Sequence, residues 1–433
     1  MWSNGIPLNR REYLTFNKKY AGSRKIATEP TTLADMFAAA GYDTASFGKL
    51  HLTCNLSPTE LGHPENWQFW QEGAFDDWHG PYYGFRHVEI TCSHGEEPCK
   101  MGHYANWLKA EHPDVWKQTK IAGAKRPMAV DALNDVYPSA IPHELHHSAW
   151  LADKFCDYLD SGRDGDKPFF AFLGFPDPHS PVSPCEDLLE QFLGCEVQQA
   201  ADPSGEGIPR WLNEMIKDKS IAHVPPEQRE QILRYTYAMV YSIDLAVGRV
   251  LDKLEQAGLA EDTIVVFNSD HGDYLCDHAM FRKSMIAWDC LVHVPFVLRA
   301  PGAGLPARVD TPMSNVDVMP TLAALAGVEA PEGLHGVDIT QEIRDGREHV
   351  DLVHAAAGSP ESVNWTLYDQ THRMTYFPAT GQTVLYDHAA DPGECRDLSQ
   401  DASHAERIEA MKRELNDRTA RCTNPIVGCV SPW

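Results

Sequence analysis

An eight-residue run without a charged or hydrogen-bonding side chain, Pro168 to Phe175 (PFFAFLGF), breaks abruptly into Pro176-Asp177-Pro178-His179. Such a run lacks the alternation of a half-solvated strand. It suits a strand buried on both faces, as in a parallel sheet covered by helices. The same grammar recurs along the chain. Thr31-Thr32 precede Leu33, Met36, Phe37 and Ala40 at helical spacing, Thr32 with Asp35 has the form of a capping box, and Gly41 stands where a C-cap belongs. A short strand over Ala45–Phe47 then runs into Gly48-Lys49-Leu50-His51. Ala149, Ala152, Phe155 and Leu159 predict a helix ahead of the 168–175 strand. A long helix is predicted over Glu227–Gln256, then a β-branched strand, Thr263–Phe267, that ends in Asn268-Ser269-Asp270-His271-Gly272-Asp273. A strand over His293–Leu298 and a helix over Val316–Ala326 complete the series. The predicted fold class is therefore α/β, a mostly parallel central sheet flanked by helices.

From about residue 360 the pattern changes. Trp365–Phe377 and Thr383–Asp387 predict an antiparallel pair, and Ala402–Arg421 a charged helix. The chain divides on this reading into a core over 1–355 and a small C-terminal α+β subdomain over 356–433. Within the core, about 52–145 reads as an irregular excursion rich in Trp, His, Pro and Gly, of the kind that shapes a substrate mouth. Its Trp67, Trp70, Trp78, Tyr82 and Tyr83 either line a sugar- or choline-sized pocket or pack on one another. His146-His147, with helical neighbours, read as surface or interdomain groups.

Charge narrows the function. Asp and Glu number 62 against 37 Lys and Arg, a formal charge of −25, which repels phosphate backbones and anionic lipid. No nucleic-acid or membrane partner is expected, and no stretch approaches the ~18–20 apolar residues of a membrane span. Eleven cysteines without a Cys-x-x-Cys pair predict reduced thiols in a cytoplasmic protein and no structural zinc ladder. Met1-Trp2-Ser3-Asn4-Gly5 shows no secretory leader pattern. The composition gives no oligomeric state.

In parallel sheets ligands bind beyond the carboxyl ends of the strands. Three predicted strands end in histidine-bearing polar segments, at 49–51, 177–179 and 270–273, which predicts one shared site. Asp270 and His271 offer a carboxylate and an imidazole to one divalent ion, or else a cap and a loop histidine. His179, held between Pro178 and Pro181, offers an imidazole of near-neutral pKa to protonate a leaving oxygen, or else is a plain surface histidine. Lys49 and His51 face one side of extended backbone, where two cationic donors suit a tetrahedral oxyanion, or else they are a solvated lysine and a capping histidine. Lys283, thirteen residues after Asp270, can return over the loop or stay a surface charge. Asp277 and His278 are candidates for support behind Asp270.

Taken in order, several segments resemble the sulfatase family of the alkaline-phosphatase-like superfamily. They are Phe47-Gly48-Lys49-Leu50-His51-Leu52, Phe175-Pro176-Asp177-Pro178-His179-Ser180-Pro181 and Ser269-Asp270-His271-Gly272-Asp273. Lys283, Val294-Pro295, Arg299-Ala300-Pro301-Gly302, Asp317-Val318-Met319-Pro320-Thr321-Leu322, Leu385-Tyr386-Asp387 and Asp391-Pro392-Gly393-Glu394 follow. The Asp-His pair is similar to the branch of choline sulfatases and phosphonate monoester hydrolases. The resemblance implies metal ligation by Asp270 and His271, with calcium or manganese as the ion. It implies that Lys49 and His51 hold and assist the nucleophile, that His179 and Lys283 bind the sulfate and help the ester oxygen leave, and that Asn4 also binds substrate. The implied substrate is a small sulfate ester. A phosphonate or phosphate ester hydrolase, and a non-catalytic remnant or binding protein, are the alternatives.

The family's nucleophile is a formylglycine made from the Cys or Ser of C/S-x-P-x-R. No cysteine or serine here is followed by x-Pro-x-Arg, and Cys54, in Cys54-Asn55-Leu56-Ser57-Pro58, does not fit. The family's first strand, with its paired metal-binding aspartates, has no counterpart either. The expectation is an N-terminally incomplete sulfatase-like chain that binds metal weakly and does not turn over sulfate esters.

Overall fold

The computed structural model describes residues 32–53, 62–94, 101–121, 123–202, 204–284, 286–309, 313–346, 352–357, 363–369 and 371–422. Helix α1 (Leu33–Ala39) opens on a capping box: the Thr32 hydroxyl accepts from the Asp35 amide at 3.0 Å and the Asp35 carboxylate accepts from the Thr32 amide at 2.9 Å. It delivers the chain into β1 (Asp43–Gly48), every residue of which is buried. Strand β2 (His87–Ile90) and strand β3 (Phe169–Gly174) flank β1 in parallel, giving the order β2-β1-β3. The register sets Gly48 beside Ile90 and Gly174, so all three strands end at one rim.

Between β2 and β3 run α2 (His103–Glu111) and α3 (His147–Asp157); after β3 comes the long α4 (Pro226–Gln256). Pro226 sits at the first position of α4, where its missing N–H costs nothing. Leu151, Phe155 and Tyr158 meet Phe47 of β1 and Leu254 of α4 in one core cluster. Burying each such side chain is worth about 1.5–3 kcal/mol, so this layer fixes the sheet on α3 and α4. Strand β4 (Val265–Asn268) pairs antiparallel with β5 (Phe296–Arg299), and α5 (Val318–Ala326) ends on Gly327 in the left-handed conformation.

The C-terminal sheet is an antiparallel meander of β6 (Leu352–Ala357), β7 (Asn364–Asp369), β8 (His372–Phe377) and β9 (Gln382–Asp387). Its side chains alternate as the pleat requires. Leu367, Met374 and Leu385 pack beneath Ile408, Met411 and Leu415 of α6 (Ala405–Cys422), while Phe377, Val384 and Tyr386 face Trp288, Tyr274 and Leu212 of the core. The boundary expected at 355/356 falls inside β6, which pairs with β7 along its whole length. Among the described residues no helix is long and apolar enough to cross a membrane.

Two expectations need correction. The 52–145 segment is not an irregular excursion throughout. It carries β2, a strand of the central sheet, and α2. His-Val-Glu-Ile is too short and too polar to stand out as a buried strand, yet Val88 and Ile90 are fully buried. The 168–175 run is not buried on both faces: Phe169 to Leu173 are half-buried, because among the described residues β3 pairs only with β1. The excursion's aromatics pack on one another, with Trp70, Tyr82 and Phe85 buried in a cluster that Phe75 and Trp78 join.

Candidate active site

The site begins where β1 and β3 end. Gly48 and Gly174 touch so closely that a Cβ on Gly48 would lie 2.3 Å from the Gly174 carbonyl oxygen. The Lys49 amide donates to that oxygen at 2.8 Å, which starts Lys49 and the 175–181 loop from one point. Lys49 is half-buried, and burial pushes its ammonium down to about 8 despite the opposing pull of Asp270; Lys283 adds to the fall. His51 follows with φ +56°, a left-handed conformation that a non-glycine residue rarely holds. Desolvation, with Lys49 and Lys283 repelling, takes its imidazole down to about 4, although part of the ring reaches solvent.

His179 and His271 are set by their own backbones. The ring Nδ1 of His179 lies 2.6 Å from Ser180 O, and that of His271 lies 2.7 Å from Gly272 O. A carbonyl only accepts, so both Nδ1 atoms carry the proton and both Nε2 atoms present a lone pair. Lys283 Nζ answers them at 3.1 Å and 2.5 Å respectively. The two rings stand 6.0 Å apart, edge to face, with Lys283 tying them together. Asp270 approaches His271 Nε2 to 3.7 Å. Burial raises the Asp270 carboxyl, but His271, Lys49 and Lys283 outweigh it and hold the group below its ordinary value.

Burial first, then the Lys283 charge, pushes the His179 imidazole down to about 4, so it stays neutral near pH 7. Burial also lowers the Lys283 ammonium.

A strand-end rim that concentrates two lysines and three histidines invites comparison with known proteins. The sulfatase family model matches residues 7–328, about three-quarters of the chain. The chain belongs to the sulfatase family. A second model, the C-terminal region of N-sulphoglucosamine sulphohydrolase, matches residues 276–421. Among relatives, the arylsulfatase of Clostridium perfringens is 26% identical over 89% of this chain and 77% of that protein. The endo-4-O-sulfatase of Bacteroides thetaiotaomicron is 24% identical over 98% of this chain and 78% of that protein. The solved phosphonate monoester hydrolase of Agrobacterium radiobacter superposes with a TM-score of 0.74 at 21% identity, over 97% of this chain and 85% of that one. This last likeness supports the alkaline-phosphatase-like fold: a parallel central sheet flanked by helices, with an added antiparallel sheet at the C-terminus.

As a sulfatase, the chain is a sulfuric ester hydrolase by family, and sulfatases use a divalent metal ion. The described residues do not by themselves fit such an ion at the cleft. Asp270 and His271 supply two donors, and the His271 Nε2 lone pair is taken by Lys283. Calcium asks for six to eight oxygen ligands. The described groups of three or more potential ligands lie elsewhere, at His79/Glu89/His103, His146/His147/Asp177 and His143/Glu144/Asp187. Asn4 lies outside the described residues.

Three features of this sulfatase escaped the sequence reading. His94, four residues beyond β2, stacks on His179 with ring centroids 3.5 Å apart, and its Nε2 is buried without a hydrogen bond. Asp177, in the same loop as His179, is buried. His146 and His147 are not surface groups: their exposures are 1% and 0%. The signal was present in Ala149-Trp150-Leu151-Ala152, four consecutive apolar residues that demand a helix start buried all round.

Proposed function

We propose that this sulfatase grips small sulfate esters at the strand-end rim, with Lys283, His179, Lys49 and Asn4 as the substrate-binding residues. The observation that carries the reading is Lys283 Nζ held between His179 Nε2 and His271 Nε2. A sulfate ester spreads one negative charge over three oxygens and asks for donors that converge in limited solvent. An ammonium has three N–H donors. The two imidazoles fix its position and leave a donor for the anion. Lys49 supplies the second cation, and Lys283 is placed to protonate the ester oxygen as it departs.

Lys49 and His51 are the groups that would assist an attacking nucleophile. Asp270 and His271 are the pair the family resemblance gives to a divalent cation, calcium or manganese; with the His271 Nε2 lone pair taken by Lys283 the described pair does not fit one, and no step is drawn through it. Because the sequence holds no Cys- or Ser-x-Pro-x-Arg, we assign no nucleophile and propose that the 433-residue chain binds sulfate esters without turning them over. A solved relative of this fold is described as a complex with its substrate D-glucosamine-2-N,6-O-disulfate, which supports a small sulfated sugar as the substrate class. Among the described residues, the thiols of Cys92, Cys156, Cys195, Cys276, Cys290 and Cys395 are unpaired, which supports a reducing, cytoplasmic setting.

The test pairs 4-nitrophenyl sulfate with a phenylphosphonate monoester, and adds calorimetric titration of inorganic sulfate. The expected result is sulfate binding without turnover. Metal-dependent turnover of the sulfate ester would overturn the inactivity. Selective turnover of the phosphonate would move the assignment to a phosphonate hydrolase, and binding of neither anion would favour a non-catalytic protein.

A further inference from the structure

Behind the cleft, at the point where α3 begins, three metal-ligating side chains converge out of contact with water. His146 caps α3, His147 is its first residue, and Asp177 reaches them from the loop that carries His179 two residues later. Their exposures are 1%, 0% and 6%. Nε2 of His147 lies 3.3 Å from Oδ1 of Asp177, and Nε2 of His146 lies 3.8 Å from Oδ2. Neither contact has hydrogen-bond geometry, and both ring nitrogens of His147, both carboxylate oxygens of Asp177 and the Ser148 hydroxyl are buried without such a bond; burial raises the Asp177 carboxyl, but His147 and His146 outweigh it and hold the group below its ordinary value. A fully buried carboxylate in this condition is costly unless something else neutralises it.

We propose that His146, His147 and Asp177 form a buried site for a borderline-soft divalent metal ion of the zinc type, which fastens the His179 loop to the start of α3. The spacing is what such an ion needs. With bonds of about 2.0–2.2 Å, donors around a tetrahedral zinc sit roughly 3.3–3.5 Å from one another. The two observed separations, 3.3 and 3.8 Å, close on that value with small side-chain shifts. Two imidazoles with one carboxylate favour zinc, cobalt or nickel over calcium or magnesium. An imidazole ligates through the lone pair of its neutral form. The Nδ1 of His146 accepts from the Ser148 amide at 3.5 Å, the outer limit of a hydrogen bond. Ligation through Nε2 moves the ring proton to Nδ1 and gives up that one long contact.

The other two clusters of potential ligands lack this combination. Both ring nitrogens of His103 are already engaged, by the Ile90 amide at 2.9 Å and the Trp78 carbonyl at 2.6 Å. Glu144 and Asp187 of the third are exposed. The proposed centre also differs from the cation assigned to Asp270 and His271, with which it shares no residue. It does not depend on the sulfate reading, so either can fail alone.

The experiment uses the full chain, stripped with a chelator under mild denaturant, refolded with Zn2+ alone and passed through gel filtration before metal analysis. The wild-type chain and the double variant Asp270→Asn/His271→Gln are expected to retain one Zn2+ per chain at this site. His147→Gln and His146→Gln are each expected to lower Zn2+ affinity at least about tenfold. Should those variants fold poorly, zinc X-ray absorption on the Asp270→Asn/His271→Gln chain reads the ligands directly and should show two imidazoles with oxygen. No retained Zn2+, or retention unaffected in well-folded His146 and His147 variants, or an absorption spectrum without imidazole scattering, would overturn the proposal.

Discussion

The rim of the cleft and the seam beneath the C-terminal sheet both hold charge away from water, and they do it in opposite ways. At the seam, Arg373 is fully buried between the rings of Trp288 and Tyr386, its centre 4.9 Å from each. Its Nε donates to Glu394, its Nη1 donates to Thr375 at 2.9 Å, and the other Glu394 oxygen accepts from the Asp289 amide at 3.0 Å. Each charge there has an opposite one in contact. At the rim, Lys49 and Lys283 repel one another and the nearby imidazoles, with Asp270 the main counterweight. The seam spends its charges on holding the C-terminal sheet to the core, whereas the rim holds two cations together with one main counter-charge. Stability and function therefore sit in different places, and substitutions should separate them.

The largest effect is expected at the seam. Arg373→Ala strands the Glu394 carboxylate and should cost about 3–5 kcal/mol in urea unfolding. Lys283→Ala should do the reverse: about tenfold to hundredfold weaker sulfate binding by calorimetry, from the loss of a charged hydrogen-bond donor, with little change in the unfolding midpoint. If Lys283→Ala unfolds the chain, the division drawn here is wrong.

Acidity sharpens the same contrast. The Lys49 ammonium is held near 8 in the fold, below its ordinary 10.5. Sulfate binding should be strongest below pH 8 and should fall as the ammonium deprotonates above it. Between pH 8 and 10.5 the unfolded chain binds more protons at this residue than the folded one, so Lys49 makes stability rise with pH over that window. Comparing Lys49→Met with the parent by pH titration of both properties checks the two slopes; equal slopes in parent and variant would count against them. The smallest effect belongs to the capping box: Thr32→Ala should cost about 1 kcal/mol in unfolding and leave sulfate binding unchanged.

Local rules of spacing and capping carried much of the fold into view. Thr32 with Asp35, the glycines at 41 and 327, and the period of Ile232, Tyr235, Met239 and Ile243 in α4 are each decided within a few residues of chain, and the structure follows them. The polar strand ends at 49–51, 177–179 and 270–273 were legible because a buried strand cannot tolerate such residues before it stops. What stayed hidden depends on contacts distant in sequence. Strand β2 is four residues long and earns its place only through pairing with β1. Trp365–Phe377, expected as one strand, is two, β7 and β8, because α6 and the core each need one face of a wider sheet. The inward turn of His146 and His147 is set by the loop bearing Asp177, thirty residues away, and the stacking of His94 on His179 by the parallel register of two strands that β1 separates.

The central claim is that the ends of β1, β3 and β4 converge on one tetrahedral anion through Lys283. Anomalous diffraction from crystals soaked in tungstate, a heavy-atom stand-in for sulfate, tests it most directly. The account predicts a single strong peak within hydrogen-bonding reach of Lys283 Nζ and close to Lys49 and His179. A well-occupied peak elsewhere with none at Lys283, or no bound oxyanion at concentrations that saturate calorimetric binding, would contradict it.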